Sequence, residues 1–320
     1  MATTTLTPTA STYRSGLYEW VTTTDHKKIG ILYIVNSFLF FFIGGVLALG
    51  IRTELAQPGL QLVANEGIYN QLFTMHGTVM IFLFIIPMLA GFGNYVVPLQ
   101  IGAPDMAFPR INALSFWMLP LAGILLLLGF VTGGAASAGW TSYSPLAQDR
   151  PLGSTGSGQD LWIMALVLIG TSSILGAVNF LVTIFKMRAP GMTMFRMPIL
   201  VWTVLVTSVL VLMATPVNTS ALIMLFIDRN YGGHFFDPST GGNAILWQNV
   251  FWFYSHPAVY VMVLPAMGMI SEILPVFSRK PLFGYKAFVF ATAGIGALGF
   301  SVWAHHMFTT GLSTCPSSAS

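Results

Sequence analysis

The chain has 320 residues, of which 55% are hydrophobic and only 7% are charged. Soluble globular domains carry about a quarter of their residues as charged ones, so this composition excludes an ordinary soluble domain and indicates an integral membrane protein. The formal net charge of +3 does not suggest nucleic-acid binding. The single cysteine, Cys315, excludes a disulfide framework and a cysteine-based zinc or iron–sulfur site.

Seven apolar stretches are each long enough to cross a bilayer as a helix, which needs about 20 residues. We predict spans at residues 29–50, 71–98, 111–132, 161–185, 198–227, 245–277 and 286–311. The connectors are rich in Gly, Pro, Ser and Asn, and no change of composition marks a second domain. The sequence therefore predicts one all-α transmembrane domain over residues 25–311. A flexible, Thr-rich tail at residues 1–24 precedes it and lacks the features of a signal peptide.

The basic residues predict the orientation. If the N-terminus is cytoplasmic, ten of the thirteen lie on the inner side and three on the outer side, as the positive-inside rule requires. The inner residues are Arg14, Lys27, Lys28, Arg110, Lys186, Arg188, Arg196, Arg279, Lys280 and Lys286, and the outer ones are Arg52, Arg150 and Arg229. We therefore expect a cytoplasmic N-terminus.

Histidines within the predicted spans are the first candidates for a functional site, because an ionisable group inside a membrane is expensive. The sixth span carries His256 and, one helical turn later, Tyr260 on the same face. The seventh carries the adjacent pair His305 and His306, and His76 lies in the second span. All four histidines are expected in the outer half of the membrane. The other two, His26 and His234, fall in predicted loops and are expected to be solvated.

Three imidazoles on two neighbouring spans predict a metal site. Imidazole nitrogen suits copper, iron or zinc, and no cysteine or carboxylate lies nearby in the sequence. We favour a copper ion held by His256, His305 and His306 with an open position. For His76 alone, a hydrogen bond to a neighbouring helix explains the residue equally well.

Two lines of polar residues predict proton paths. Ser271 lies eleven residues after Tyr260, about three turns and about 16 Å along the same helix face, although a serine in an apolar helix often bonds back to the preceding turn. The second line starts at Asp105 in a loop and includes Asn94, Asn112, Ser115, Ser173 and Asn179. Such groups hold water chains; the alternative is that Asp105 caps a helix while the amides join neighbouring helices.

Several longer motifs are specific enough to point to a family. They are Asp25-His26-Lys27-Lys28-Ile29-Gly30, Ile51-Arg52-Thr53-Glu54-Leu55, His76-Gly77, Gly91-Phe92-Gly93-Asn94-Tyr95, the loop at 101–112, Gly139-Trp140-Thr141, Met187-Arg188-Ala189-Pro190-Gly191-Met192, the stretch at 247–260 and His305-His306-Met307-Phe308-Thr309-Thr310-Gly311. The chain resembles the first seven of about twelve helices of subunit I of the haem–copper oxygen reductases, of the bacterial aa3-type cytochrome c oxidase kind.

The resemblance implies cofactors and a role for each candidate residue. His76 would be an axial ligand of a low-spin haem of the a type, and Arg52 would hold that haem's formyl group. Trp252 would be a further cofactor-binding residue. His256, His305 and His306 would bind copper B opposite a high-spin haem, and Tyr260 would be cross-linked to His256 and supply an electron and a proton. Glu54 resembles a ligand of an outer calcium or sodium site. Asp105 with Asn94, Asn112, Ser115, Ser173 and Asn179 would form one proton channel, and Ser271 would belong to the other.

Two departures from the family qualify these expectations. Many relatives carry a glutamate at the position of Ala258, and the pair Tyr254-Ser255 resembles a subgroup in which Tyr-Ser replaces that proton relay. The stretch at 312–320 departs into polar residues and is expected to be an aberrant tail. The family's remaining helices would supply the other haem ligands, so the chain is not expected to be an active oxidase alone.

The resemblance also implies partners and a location. The expected partners are oxidase subunits II and III, cytochrome c through subunit II, O₂ and the lipid bilayer, in a bacterial plasma membrane. A quinol oxidase is the nearest alternative, and apolar Ile43 and Leu47 favour cytochrome c instead. Tyr260 argues against a nitric oxide reductase. A metal-free proton transporter would leave the histidine cluster unexplained, and a non-catalytic fragment remains a further alternative.

Overall fold

The described part of the protein is entirely helical. A computed structural model describes residues 16–148 and 156–311; the expected tail residues 1–15 with Arg14, the outer Arg150, and the stretch 312–320 with Cys315 lie outside these ranges. Within them, the only β pairing is a single bridge between Ala135 and Gly158. The all-α prediction is confirmed.

Nine α-helices follow one another in the described residues. They are α1 (Gly16–Val21), α2 (His26–Glu54), α3 (Glu66–Val79), α4 (Ile86–Ile101), α5 (Pro109–Leu128), α6 (Gly158–Lys186), α7 (Ile199–Tyr231), α8 (Ala244–Ser278) and α9 (Tyr285–Leu298). A π-helical turn at Met80–Ile85 joins α3 to α4, so these two form one continuous span. Six helical units are long and apolar enough to cross a membrane, and α9 is a shorter apolar helix. The chain is a multi-pass membrane protein.

The seventh predicted span is where the boundaries differ. The helix ends at Leu298 rather than continuing to residue 311, and the two histidines lie on a separate 3₁₀ turn, Trp303–His306. Gly294, Gly296 and Gly299 cluster at the helix end, and glycine is a poor helix former. At the other end of the chain, residues 16–21 of the expected tail form the short helix α1.

Hydrogen bonds group the loops at two opposite ends of the helices. At one end, Ala189 N–H donates to the carbonyl of Ile101 (2.8 Å), which joins the α4–α5 and α6–α7 loops. At the other end, the Ser144 hydroxyl donates to the carbonyl of Phe236 (2.7 Å), which joins the α5–α6 and α7–α8 loops. We call these the Asp105 end and the Ser144 end.

The helices pack closely where small residues meet. A Cβ on Gly91 of α4 would lie 3.0 Å from the carbonyl oxygen of Gly30 in α2, and a Cβ on Gly30 would lie 2.9 Å from the carbonyl of Gly91. Only glycine at both positions permits this approach, which is typical of helix crossings in membranes. This contact brings the first turn of α2 against α4 and thereby positions His26 and Tyr33.

Candidate functional site

Three histidines converge beside the half of α8 that is nearer the Ser144 end. One ring nitrogen from each of His256, His305 and His306 lies within 4.8 Å of the others. The Nδ1 atom of His256 and the Nε2 atom of His306 are 3.2 Å apart, which also suits an N–H···N hydrogen bond. Imidazole nitrogens that share one ion tetrahedrally at about 2.0 Å lie about 3.3 Å apart. The described geometry therefore suits a metal ion, as the sequence predicts.

Aromatic contacts hold His306 in this arrangement. The ring of Trp252 stacks on the ring of His306, with centroids 3.7 Å apart and planes 6° from parallel. The Trp252 indole N–H donates to the hydroxyl of Tyr143 (2.7 Å), so the indole is fixed at its far edge. A planar stack of this kind restricts rotation of the imidazole. Trp252 is thus a positioning residue for the histidine cluster.

Tyr260 lies beside His256, as the spacing of four residues predicts. The two ring centroids are 4.6 Å apart, with planes at 64°. The Nδ1 atom of His256 faces His306, and its Nε2 atom is buried without a hydrogen-bond partner among the described residues. An unpartnered buried ring nitrogen is costly. It is consistent with a further bond to that nitrogen in the mature protein.

His76 presents one ring nitrogen to the neighbouring helix. Its Nδ1 atom is 2.9 Å from the carbonyl oxygen of Gly44 in α2, so the proton must be on Nδ1 for this hydrogen bond to form. The Nε2 lone pair is then available to a metal, which is the arrangement that metal-binding histidines generally adopt. The same contact also joins α3 to α2.

The loop that carries Asp105 is held by α6. The side-chain amide of Asn179 accepts from Phe108 N–H (2.9 Å) and donates to the carbonyl of Phe108 (3.1 Å). The hydroxyl of Thr183 accepts from Ala107 N–H (2.9 Å). Asp105 itself is half-buried and accepts from Met106 N–H (2.7 Å), and the cap residue of α5, Phe108, has no side-chain hydrogen bond. The proposed capping role of Asp105 is therefore not observed, whereas Asn179 does join two elements.

A cavity of 90 Å³ lies among α2, α4, α5, α6, α7 and α8; we call it the large cavity to distinguish it from a smaller one that shares Ser173. Asn94, Ser173 and the phenol of Tyr33 are among the residues that line it. The Tyr33 hydroxyl is 3.0 Å from the hydroxyl of Ser115, so Ser115 reaches the cavity through Tyr33. The Oδ1 atom of Asn94 and both side-chain polar atoms of Asn112 are buried without partners among the described residues. These atoms are candidates for bonding to water.

The same family emerges from comparison with known proteins. Residues 28–318 match the family described as "Cytochrome C and Quinol oxidase polypeptide I". This chain belongs to that family. It is 56% identical over 306 residues to cytochrome c oxidase subunit 1 of Corynebacterium efficiens and 55% identical over 306 residues to that of Corynebacterium glutamicum. Each alignment covers 95% of this chain and 52% of the relative. The chain therefore spans about half the length of these relatives.

The cytochrome c and quinol oxidase family implies haem and copper cofactors, and the histidines fit both. Copper suits the three converging imidazoles, each of which offers one ring nitrogen. Haem iron suits the Nε2 atom that His76 leaves available when Nδ1 bonds to Gly44.

Three other candidates from the oxidase resemblance receive less support from the geometry. The Ser271 hydroxyl donates to the carbonyl of Met267 in the preceding turn (2.7 Å), as a serine in an apolar helix often does. Arg52 is exposed in the last turn of α2. The Glu54 carboxylate accepts from the N–H groups of Gln61, Leu62 and Val63 at 2.9, 2.6 and 3.0 Å. Three of its roughly four acceptor positions are thus taken, so the carboxylate orders the loop and fits a cation poorly.

The expectation for His26 is wrong, whereas the one for His234 is confirmed. His234 is exposed. His26 lies in the first turn of α2, is 1% exposed, and its Nδ1 atom is 2.8 Å from the carbonyl of Asn94. Pro98, four residues after Asn94, has no N–H to give that carbonyl. His26 supplies the missing donor.

Sequence reasoning missed several residues of this oxidase-family site. Tyr33, Ser172 and Thr207 line the large cavity, and Tyr143 fixes Trp252. Tyr33 and Ser172 contact Ser115 on another helix, and Tyr143 lies in a loop whereas Trp252 lies in α8. The only available signal was their polarity within apolar stretches, and that signal does not identify a partner on another helix.

Proposed function

We propose that this chain provides the copper-binding histidines and one proton path of a terminal respiratory oxidase that oxidises cytochrome c and reduces O₂ to water with proton pumping. The convergence of His256, His305 and His306 within 4.8 Å carries the proposal. The family match supports it, because relatives of about twice this length are named cytochrome c oxidase subunit 1. A metal-free transporter would have no use for three such imidazoles.

The residues around the copper site have distinct tasks. His256, His305 and His306 would hold the copper ion of the copper B site. When bound, this ion would supply an electron and act as a Lewis acid. Trp252 keeps His306 in place through its stacked ring. Tyr260 holds its phenol beside His256, where it can release a proton and an electron. A covalent bond between a Tyr260 ring carbon and His256 Nε2 would form with loss of two protons and two electrons, which O₂ would take up to give hydrogen peroxide.

His76 would ligate a low-spin haem of the a type through Nε2, and Arg52 would bind that haem's formyl group. The second axial ligand and the ligand of the high-spin haem would come from the half of a full-length subunit 1 that this chain does not match. The bound haems supply electron transfer. A calcium or sodium ion at Glu54 is the weakest part of the proposal, because backbone N–H groups already occupy most of the carboxylate.

The proton path would begin at Asp105 and use the large cavity. Asn112, Ser115 and Tyr33 lead toward that cavity, and Asn94 and Ser173 line it. Ser173 also lines a smaller cavity together with Tyr254 and Ala258. Protons would therefore pass to Tyr254. In many relatives a glutamate at the position of Ala258 would take this role instead. Ser255, whose buried hydroxyl has no partner among the described residues, would assist, and Ser271 would serve the second path.

Copper binding by the purified chain in detergent is the direct test. We expect one tightly bound copper per chain in a chelator-competition assay, and nitrogen hyperfine structure in the electron paramagnetic resonance spectrum of the Cu(II) form. Replacing His256, His305 or His306 with Ala should weaken binding at least about tenfold, because one of three ligands is lost. His234→Ala is the matched control, since His234 is exposed and is not part of the histidine cluster.

Equal copper affinity in His256→Ala and His234→Ala would refute the copper assignment. The electron donor needs a second assay, on the assembled oxidase with subunits II and III in bacterial plasma membrane. Oxygen consumption with reduced cytochrome c, but not with a quinol, is the expected result. The opposite result would favour the quinol oxidase alternative that the family name also covers.

A further inference from the structure

The loop between α5 and α6 reaches the histidine cluster through Tyr143. The Tyr143 hydroxyl accepts the indole N–H of Trp252 (2.7 Å), and that indole stacks on the ring of His306. A side chain on a loop is held less firmly than one on a helix unless packing and hydrogen bonds fix the loop. The orientation of the imidazole therefore depends on how this loop is held.

The residues just before Tyr143 are held by two helices. The indole N–H of Trp247 in α8 donates to the carbonyl of Thr141 (2.9 Å). The side-chain amide of Gln159 in α6 donates to the hydroxyl of Ser142 (3.0 Å), and both of these residues are buried. One side of the loop is thus fixed by neutral hydrogen bonds.

The residues after Tyr143 are held by a charged side chain, Arg229 of α7. Its Nη1 atom donates to the carbonyl of Ala147, which is fully buried. The Ala147 N–H in turn donates to the carbonyl of Tyr143 (3.0 Å). Arg229 is therefore only two hydrogen bonds away from the residue that holds the Trp252 indole.

The charge of Arg229 is itself held in place. Its side chain is 0% exposed, and its Nε atom donates to Asp160 in the first turn of α6 (2.7 Å). Such a buried pair contributes little net stability, because desolvation of the two charges offsets their attraction. Its use is directional instead. The guanidinium donors point in fixed directions, so one side chain joins the start of α6 to the loop.

We propose that Arg229 is a positioning residue for the copper ligand His306. It acts through the loop residue Tyr143 and the indole of Trp252. Without the guanidinium, the carbonyl of Ala147 loses its donor and the Tyr143 hydroxyl is no longer fixed. The indole then loses its hydrogen bond, and the imidazole loses a rigid stacking partner. The inference rests on the proposed copper site.

A double-mutant cycle on copper affinity tests this link in the purified chain in detergent. Arg229→Gln removes the guanidinium, whereas Tyr143→Phe removes only the hydroxyl that Trp252 uses. We expect each change to weaken copper binding by about tenfold, as loss of a group that orients a metal ligand does. The double variant should bind no more weakly than the weaker single one, because both changes act on the same indole. The nitrogen hyperfine lines of the Cu(II) form should broaden in both single variants.

His26→Leu is the matched control, because it also deprives a carbonyl, that of Asn94, of a side-chain donor, but in a contact between α2 and α4. It should leave copper affinity and the hyperfine lines unchanged. Additive losses in the double variant would overturn the inference, and so would unchanged copper affinity in Arg229→Gln.

A second variant covers the case in which Arg229→Gln does not fold. Ser144→Ala frees the same loop from the carbonyl of Phe236 and leaves both charges in place. It should weaken copper binding severalfold in the wild-type chain and not at all in the Tyr143→Phe background. Equal losses in the two backgrounds would overturn the inference.

A readout without copper separates this inference from the proposed function. Diethyl pyrocarbonate modifies imidazole rings, and mass spectrometry measures the rate at His306 in the copper-free chain. We expect severalfold faster modification in Arg229→Gln and Tyr143→Phe, and the wild-type rate in His26→Leu. A wild-type chain that binds no copper but shows this pattern would contradict the proposed function alone. Equal rates in all four proteins would overturn the inference.

Discussion

At the scale of single residues, His26 on α2 supplies a hydrogen bond that a proline prevents within α4. Proline is tolerated in membrane helices when neighbouring groups satisfy the carbonyl that it leaves without a donor. In α4 that carbonyl belongs to Asn94, and the imidazole of His26 bonds to it at 2.8 Å. The histidine is therefore part of the packing between α2 and α4, although its position next to two lysines suggests a solvated residue.

We expect His26→Leu to lower the free energy of unfolding by about 1–3 kcal/mol, because a buried carbonyl loses its donor. His234→Leu changes an exposed residue and should alter stability by less than about 0.5 kcal/mol. Denaturant unfolding in detergent, followed by tryptophan fluorescence, measures both. Equal losses in the two variants would show that the contact with Asn94 contributes nothing.

At the scale of helices, the approach of α9 to α8 determines where Tyr260 lies. Gly299 ends α9, and a Cβ at this position would lie 2.9 Å from Cδ2 of Tyr260. The backbone of Gly299 is in the right-handed helical region, so any residue could adopt it. The need for glycine comes from space alone. Since Tyr260 contacts the ring of His256, a displacement of the phenol would also displace this candidate metal ligand.

Gly299→Ala should therefore cost about 1–3 kcal/mol through overpacking and weaken copper binding at the same time. Gly294→Ala in the same helix is the control, because a Cβ there meets nothing within 4 Å. That change should stabilise the chain by about 0.5–1 kcal/mol through helix propensity. Copper affinity and unfolding are measured on both variants. Unchanged copper affinity in Gly299→Ala would separate α9 packing from the metal site.

At the scale of the whole molecule, charge is distributed unequally between the two ends. The described basic residues Arg110, Lys186, Arg188 and Arg196 lie in or beside the two loops that meet at the Asp105 end. Arg229, at the Ser144 end, is neutralised by Asp160 through a 2.7 Å ion pair. The positive-inside rule predicts that the Asp105 end lies in the cytoplasm. The proposed proton path would then take protons from the cytoplasm.

Cysteine labelling tests this orientation. In a Cys315→Ser background, His234→Cys and Arg110→Cys each place one thiol at an exposed position, at the Ser144 end and the Asp105 end respectively. A membrane-impermeant maleimide should label the first variant in intact cells and the second only after permeabilisation. The reverse pattern would place the N-terminus outside.

The sequence predicted the features that depend on composition and on short spacings. Hydropathy is a property of each stretch alone, so the spans were found, and the four-residue spacing of His256 and Tyr260 placed the two rings together. Features that depend on two distant helices were missed. Examples are the hydrogen bond of His26 to the Asn94 carbonyl on another helix and the two hydrogen bonds of Asn179 with Phe108. The end of α9 was also missed, because glycines within an apolar run do not alter its hydropathy enough.

Two hydrogen bonds join α6 to the N–H groups of Ala107 and Phe108. They hold the entrance of the proposed path in one conformation. Movement of this loop would break both bonds in a place where little water is available to replace them. Opening and closing of the loop is therefore an unsuitable way to control proton entry. Supply at this end would depend on how fast the Asp105 carboxylate captures protons from the membrane surface. Any control over the direction of flow has to act deeper, where Tyr254 and the smaller cavity lie.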